Sequence, residues 1–472
     1  MIRKYRLGSL SSDNNTGWRS YQDTLKRNTR RHRRGKPPRL RWMLALAVIF
    51  VLCAGYGASV TGIWPDSNTS ARSMEADVAT PPRPLTKQAL RRMLANVGTN
   101  RLAADTFPLK DGSNRYQVNT TIDPHLQKAL TDKLRLEYAR YLGIVVMDPS
   151  TGHILAMINH DRIHPGRNIC ADNHFPAASI FKIITASAAI EICHLGPDST
   201  LKYNGRKHTL YKKQLKEQQN KYTNRVTLQD AFAQSINPVF GKLGANRLGG
   251  KNLLSYASAF GFNREFNLDF QTAPSLFSVS DRPYRWAELA CGFNKETTLS
   301  PLHGAMIAAT VINGGRLIEP TLIDSVVNNS GQVVYQGHSR TIQNPIKPRT
   351  ARILAGLMQT TIREGTARKV FRGYRRDRIL SRLDLGGKTG SMNNNPRYDW
   401  FVGFARDNTS GQSVVVAAMV AHQDFIGIKS GQYARMAIKA YFKEYFARQS
   451  APQTSTSHNM QGQYLKTIPK KG

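Results

Sequence analysis

The longest uninterrupted apolar stretch runs from Trp42 to Trp64, with no charged residue between Arg41 and Asp66. As a helix it is long enough to cross roughly 30 Å of hydrocarbon, and tryptophans at both ends suit rings that settle at the headgroup level. A transmembrane helix is expected there. Residues 66–114 turn rich in Ser, Thr, Pro and charge, which predicts an extended stalk with one short helix near Lys87–Ala95. Regular structure starts with a strand at Val118–Ile122, followed by Asp123 and Pro124 as cap and first turn of a helix reaching about Tyr141. A hairpin is predicted next, Gly143–Asp148 and His153–Ile158, turned through Pro149 to Gly152. A mainly helical stretch covers roughly Pro176–Thr310. Strand patterns return at Leu383–Met392, Trp400–Arg406 and Ser413–Ala421, the last two forming a hairpin. A terminal helix, Gln432–Phe446, places Tyr433, Met436, Ala437, Ala440, Tyr441 and Phe446 on one stripe. Strands at both ends with helices between predict one α+β domain whose first and last thirds share a sheet. The expected division is a basic arm (1–41), the span (42–64), the stalk (65–115), the domain (116–448) and a disordered tail (449–472).

Composition narrows the setting. The 472 residues are 40% hydrophobic and carry 67 Lys+Arg against 31 Asp+Glu, a formal charge of +36. Such a chain can bury a core and attracts polyanions. The arm holds 13 Lys/Arg and two Asp, so the positive-inside rule keeps it cytoplasmic and puts everything after Trp64 outside. A cleaved signal peptide is the competing reading, but the apolar core is long for one. Export makes anionic wall material or lipid headgroups the expected partners and nucleic acid an unexpected one. Four cysteines are too few for a disulfide-built scaffold, and Cys170 and Cys193 read equally well as a disulfide or as reduced thiols. His160 and His164 sit among loop residues, so no metal site is expected.

Three short motifs carry chemistry. Pro176–Ile190 is apolar nearly all round yet contains Lys182. A buried, unpaired ammonium tends to lose its proton, and such a lysine beside a hydroxyl serves as a general base. Ser179, three residues earlier, supplies the hydroxyl on the same helix face. The bland alternative is a snorkelling lysine and an N-terminal serine. Ser235 and Asn237 precede Pro238, which stops the preceding helix and leaves both residues projecting from a turn; capping alone would also explain them. In Leu385–Met392, glycines thin the cover of a strand, so that a peptide could lie alongside, its carboxylate meeting Lys388, Thr389 and Ser391. A kinked edge strand is the plain alternative.

Together, S-x-x-K, S-x-N and K-T-G-S in this order resemble the penicillin-binding protein family. Thr120–Gln127, Met147–Met157, Ser235–Phe240, Leu299–Gly315, Gly365–Ala367 and Asp399–Phe404 add to the likeness, which covers roughly Tyr116–Phe446 and is similar to the transpeptidase module of bifunctional murein synthases. The resemblance implies an antiparallel β-sheet sandwiched by helices, with a helical lobe. It makes Ser179 the nucleophile that takes an acyl group from D-alanyl-D-alanine stem peptides or β-lactams, and Lys182 its base. Ser235 would pass a proton to the leaving group, Asn237 would hold the substrate amide and orient Lys182, and Lys388 would support the proton path. Thr389, Gly390 and Ser391 would bind the donor, and the N–H groups of Ser179 and Ser391 would form the oxyanion hole. No cofactor is implied. Ala177 and Ala178 stand where relatives place Gly-Ser, and Met392 where a hydroxyl residue is frequent.

The short spacing between Trp64 and the module leaves no room for a glycosyltransferase domain, so a separate glycan polymerase is an expected partner. D,D-carboxypeptidase, β-lactamase and a noncatalytic sensor or scaffold remain the alternatives. Two basic runs, Arg206–Arg225 and Arg363–Arg378, read either as solvated surface or as contacts for anionic wall polymer.

Overall fold

The computed structural model describes residues 84–393 and 395–450. The arm, the Trp42–Trp64 span, the first part of the stalk and the tail lie outside the described residues. Among those described, no helix is long and apolar enough to cross a membrane.

The centre is a five-stranded antiparallel sheet in the order Leu383–Met392, Arg397–Asp407, Ser413–His422, Ala139–Met147, Ile154–Asp161. Ser413–His422 pairs directly with Ala139–Met147, so the first and last thirds of the chain do share a sheet. The three inner strands read as near-continuous apolar runs because both faces are covered. On Ala139–Met147, Val145 and Met147 face the core around Phe181 and Ile184, while Ile144 and Val146 face the C-terminal helix, Ser430–Ser450. That helix buries Tyr433, Ala434, Ala437, Ile438, Phe442 and Phe446. The buried stripe is thus rotated from the expected one: Met436, Ala440 and Tyr441 fall on its margin, because Ile438 and Phe442 take the central ridge over the sheet.

Two sequence expectations change. The helix after Asp123 is Pro124–Thr131, capped by Asp123 Oδ1, which accepts from His125 and Leu126 N–H at 3.0 Å. It does not continue to Tyr141, since Ala139 already begins a strand. The link is held by Tyr433, whose hydroxyl accepts from the Arg135 N–H at 3.2 Å and donates to the Arg135 carbonyl at 2.9 Å.

The second half of the stalk is folded. Thr106–Asp111 and Asn114–Thr120 form a hairpin that joins Ile323–Asn328 and Val333–Gln336 in a four-stranded sheet. A helix at Lys87–Met93 is tied to the same body. Lys87 Nζ donates to Glu319 Oε1 at 2.9 Å and lies 3.7 Å from Asp269 Oδ1. Both carboxylates are buried, and Asp269 also accepts from the Leu322 and Ile323 N–H groups and the Tyr335 hydroxyl. Lys87→Met would strip the ammonium from two buried carboxylates, and a loss of about 2–3 kcal/mol in unfolding free energy is expected. Denaturant titration checks this; an unchanged midpoint would show that the helix contributes nothing to the domain.

The middle of the chain forms a helical lobe: Lys182–Ile192, Leu228–Ala233, Asn237–Lys242, Gly249–Ala259, Pro283–Cys291 and Pro301–Ile312. A short hairpin, Thr200–Tyr203 with Asn224–Thr227, projects from it. Cys170, Cys193 and Cys291 are free thiols. The Cys170 thiol donates to the Ile158 carbonyl at 3.1 Å, and burial pushes its pKa up. His160 lies on a strand, its Nε2 at 3.3 Å from the Ala139 carbonyl, so the helical spacing to His164 is not realised.

Candidate active site

Ser179 sits on a 3-10 turn, Ala178–Phe181, that runs into the Lys182–Ile192 helix. The turn is entered through Ala178 at φ +47°, a conformation costly for a residue with a Cβ and kept only where the surroundings enforce it. Here they do. Ala177 N–H donates to the Thr297 carbonyl at 2.8 Å, and the Trp400 indole N–H donates to the Pro176 carbonyl at 2.9 Å. Gly292, itself at φ +70°, packs so closely that a Cβ on it would lie 1.9 Å from the Ala178 carbonyl oxygen.

Lys182 is completely buried. Its Nζ lies 2.7 Å from Ser179 Oγ, 2.8 Å from Asn237 Oδ1 and 2.6 Å from the Cys291 carbonyl, and it stands over the Phe240 ring. No carboxylate is among these partners. Burial therefore lowers its pKa to about 8, so that about a tenth of it is neutral at pH 7, against well under a thousandth for a free lysine amine.

The second element projects as the proline requires. Leu228–Ala233, capped by Thr227, ends before Ser235, which takes φ +55°, and a new helix starts at Asn237 with Pro238 in its first turn. Asn237 is fixed by its own N–H donating to the Lys207 carbonyl at 2.7 Å and by Nδ2 donating to the His208 carbonyl at 3.1 Å. Its side-chain oxygen is thereby aimed at Lys182.

The third element is the edge strand Leu383–Met392. Lys388, also completely buried, donates to Ser235 Oγ at 3.0 Å and to the Thr389 carbonyl at 2.8 Å, over the Phe232 ring. Burial, and after it the charge of Lys182, holds its pKa well below that of a free amine. The glycines of this strand serve a different purpose from the one expected. A Cβ on Gly386 or Gly387 would strike the Phe404 or Phe401 ring of the neighbouring strand, both at 2.3 Å; they make room for the core. Gly390 alone borders the nucleophile turn, 3.2 Å from Ile180 Cγ1 and 3.4 Å from the Ala177 carbonyl by the same measure.

A cleft of about 850 Å³ opens over these groups and is lined by Ser179, Ser235, Asn237, Thr389 and Ser391. Two lysines and two serines thus form linked pairs at its floor: Ser179 with Lys182, and Ser235 with Lys388. Such a constellation can move a proton from one hydroxyl and deliver one through the other. Gly390 packs beneath it. Four further contributors complete the site: Thr366 and Trp400 lie in the stretches Gly365–Ala367 and Asp399–Phe404 that already carry the family resemblance, whereas Cys291 and Gly292 have no sequence signal. Thr366 Oγ1 meets Thr389 Oγ1 at 2.5 Å, the Cys291 carbonyl anchors Lys182, Gly292 admits the turn, and Trp400 holds Pro176. Each acts through main chain or through a contact between distant segments.

The family model for the penicillin binding protein transpeptidase domain matches residues 142–443, a span that contains all three motifs and the whole five-stranded sheet except its first few residues. The chain belongs to this family. Among curated proteins, the peptidoglycan D,D-transpeptidase PbpA of Mycobacterium tuberculosis is 27% identical over 365 residues, covering 68% of this chain and 70% of the relative. Penicillin-binding protein 1B of Haemophilus influenzae is 27% identical over 190 residues, covering 40% of this chain and 21% of the relative. Of solved structures, the D,D-transpeptidase domain of a peptidoglycan glycosyltransferase from Eggerthella lenta superposes with a TM-score of 0.57 at 25% identity, covering 70% of this chain and 83% of that one. The imipenem acyl-enzyme of penicillin-binding protein A from M. tuberculosis shares the fold at a TM-score of 0.57 and 24% identity, over 69% of this chain and 79% of that one. In this penicillin-binding fold the Ser179 turn lies against the edge strand, between sheet and helical lobe.

Proposed function

We propose that this penicillin-binding protein is a serine D,D-transpeptidase that cross-links peptidoglycan and is acylated at Ser179 by D-alanyl-D-alanine stem peptides and by β-lactams. The observation that carries the reading is Lys182 Nζ, buried without a carboxylate partner, 2.7 Å from Ser179 Oγ. Neutral Lys182 takes the hydroxyl proton as Ser179 Oγ attacks the carbonyl of the penultimate D-alanine. The N–H groups of Ser179 and Ser391 stabilise the oxyanion. As the C–N bond breaks, a proton reaches the departing D-alanine amine through Ser235, supported by Lys388. Asn237 holds the substrate amide, and Thr389 with Ser391 the terminal carboxylate. The amine of a second stem then attacks the ester, gives up a proton and releases Ser179.

The same proposal places the protein as a single-pass protein of the bacterial cytoplasmic membrane, its arm inside and its catalytic domain on the periplasmic side. It would work beside a glycan polymerase. The run Trp42–Trp64 and the charge of the arm support that placement. Fusion of a periplasm-active reporter after residue 472, compared with the same fusion after deletion of 42–64, tests it.

Transfer is tested by incubating the protein with a donor pentapeptide ending in D-alanyl-D-alanine and an amine acceptor. Release of D-alanine with formation of the linked dimer is expected. D-Alanine release with hydrolysed donor alone would make the protein a carboxypeptidase, and no release from folded protein would leave a sensor or scaffold.

A further inference from the structure

The two basic runs conspicuous in the sequence are far apart along the chain, yet both reach the cleft. His208 comes from Arg206–Arg225, and Thr366 and Lys369 come from Arg363–Arg378. Lys295, Arg397 and Lys429 join Lys369 in the lining, four fixed cations against one carboxylate, Asp399. That carboxylate is already engaged: its Oδ2 accepts from the Ser430 N–H at 2.9 Å and hydroxyl at 3.0 Å. Among the described residues none of the four cations makes an ion pair. Of the three acids within the basic runs, two are engaged elsewhere, Glu217 by Lys242 at 3.2 Å and Asp377 by Lys439 at 2.6 Å, and the third, Glu364, is not among the residues that line the cleft.

A cleft lined by one sign of charge focuses its field on whatever enters. The terminal carboxylate of a donor brings a single negative charge, and the hydroxyls of the edge strand suffice to hold it. Four unpaired cations exceed that need. Resting on the function proposed above, we propose that the cleft selects stem peptides carrying free internal carboxylates over the same peptides with those carboxylates converted to primary amides. The extra carboxylates can belong to the donor stem or to the acceptor stem. The chemistry recognised is the same, and the two are told apart by the step they affect.

The test uses the full-length protein in detergent with matched donors and acceptors, free-acid and amidated, at low salt and at roughly 0.5 M salt, where the Debye length falls to a few ångströms. At low salt, kcat/KM is expected to favour the free-acid form by about tenfold or more, and the ratio should shrink towards one at high salt. A donor preference appears in D-alanine release; an acceptor preference appears only in dimer formation. The double variant Lys295→Gln/Lys369→Gln should lose most of the discrimination and Lys295→Arg/Lys369→Arg should keep it, which separates charge from shape. Equal kcat/KM for both forms in both arms, or a preference undiminished in the glutamine variant that still labels with penicillin, overturns the inference. Failure of the wild type to label with penicillin or to release D-alanine would instead be a failure of the proposed function.

Discussion

Covalent labelling by a fluorescent penicillin is expected to vanish in Ser179→Ala and to slow by about a thousandfold in Lys182→Met. The first change removes the hydroxyl proposed to form the ester. The second removes the base but fills the same buried volume with an apolar chain of similar length, so the fold should survive; a general base is worth about 10²–10⁴ in rate. The low end of that range is not expected because Lys182 also aligns Ser179 and Asn237 through bonds of 2.7 and 2.8 Å. The pH profile gives an independent sign. With the Lys182 pKa lowered to about 8 by burial, the competent species is the neutral amine. The acylation rate should therefore rise nearly tenfold per pH unit in acid and level off above about pH 8. Stopped-flow labelling between pH 5 and 9 checks this. A flat profile, or Lys182→Met labelling at the wild-type rate, would remove the lysine from the mechanism.

Gly292→Ala should cost about a hundredfold in acylation rate, although Gly292 touches no substrate in the proposed reaction. The methyl group would fall 1.9 Å from the Ala178 carbonyl oxygen, on a residue at φ +70°. Left-handed backbone alone costs about 1–2 kcal/mol for an L-residue. The overlap, being with main chain, must be relieved by moving either the Ser179 turn or the Cys291–Gly292 segment. Either movement separates Lys182 from one of its anchors, since Cys291 supplies a carbonyl at 2.6 Å. Displacement of a reacting group by about 1 Å is enough for a loss of that size. Circular dichroism should show the variant folded with a lowered melting temperature. Wild-type labelling kinetics in Gly292→Ala would show that the turn tolerates displacement and that its position is not set here.

Much of this architecture could be read from the chain before any coordinates. Leu383–Met392 was legible end to end because its glycines and hydroxyls stand out between apolar neighbours, and Ser413–Ala421 because both of its faces are apolar. The end of the helix after Asp123 is not legible in the sequence: Leu134 and Leu136 continue a helical spacing, whereas Tyr433, almost 300 positions away, holds that segment in the link. The folded part of the stalk is illegible in the sequence for a related reason. Thr106–Asp111 is a mostly exposed strand with little apolar signal of its own, and its partners, Asn114–Thr120 and through it Ile323–Asn328, supply what holds it.

What the sequence determined by itself is the chemical inventory and its local presentation. A lysine placed in an apolar helix must be buried with it, a proline separates the two helices between which Ser235 and Asn237 are presented, and near-continuous apolar runs mark the strands covered on both faces. These depend on near neighbours and on burial, which composition and periodicity encode. Tertiary structure alone decided that the Cys291 carbonyl joins Asn237 on Lys182 with no carboxylate beside them, that Gly386 and Gly387 yield to phenylalanine rings, and that Gly292 admits the Ala178 carbonyl. It also decided that basic runs from separate parts of the chain line one cleft. Contacts of this kind join main-chain atoms and side chains separated by many residues, and they are fixed only when packing selects one arrangement of the sheet and the helical lobe.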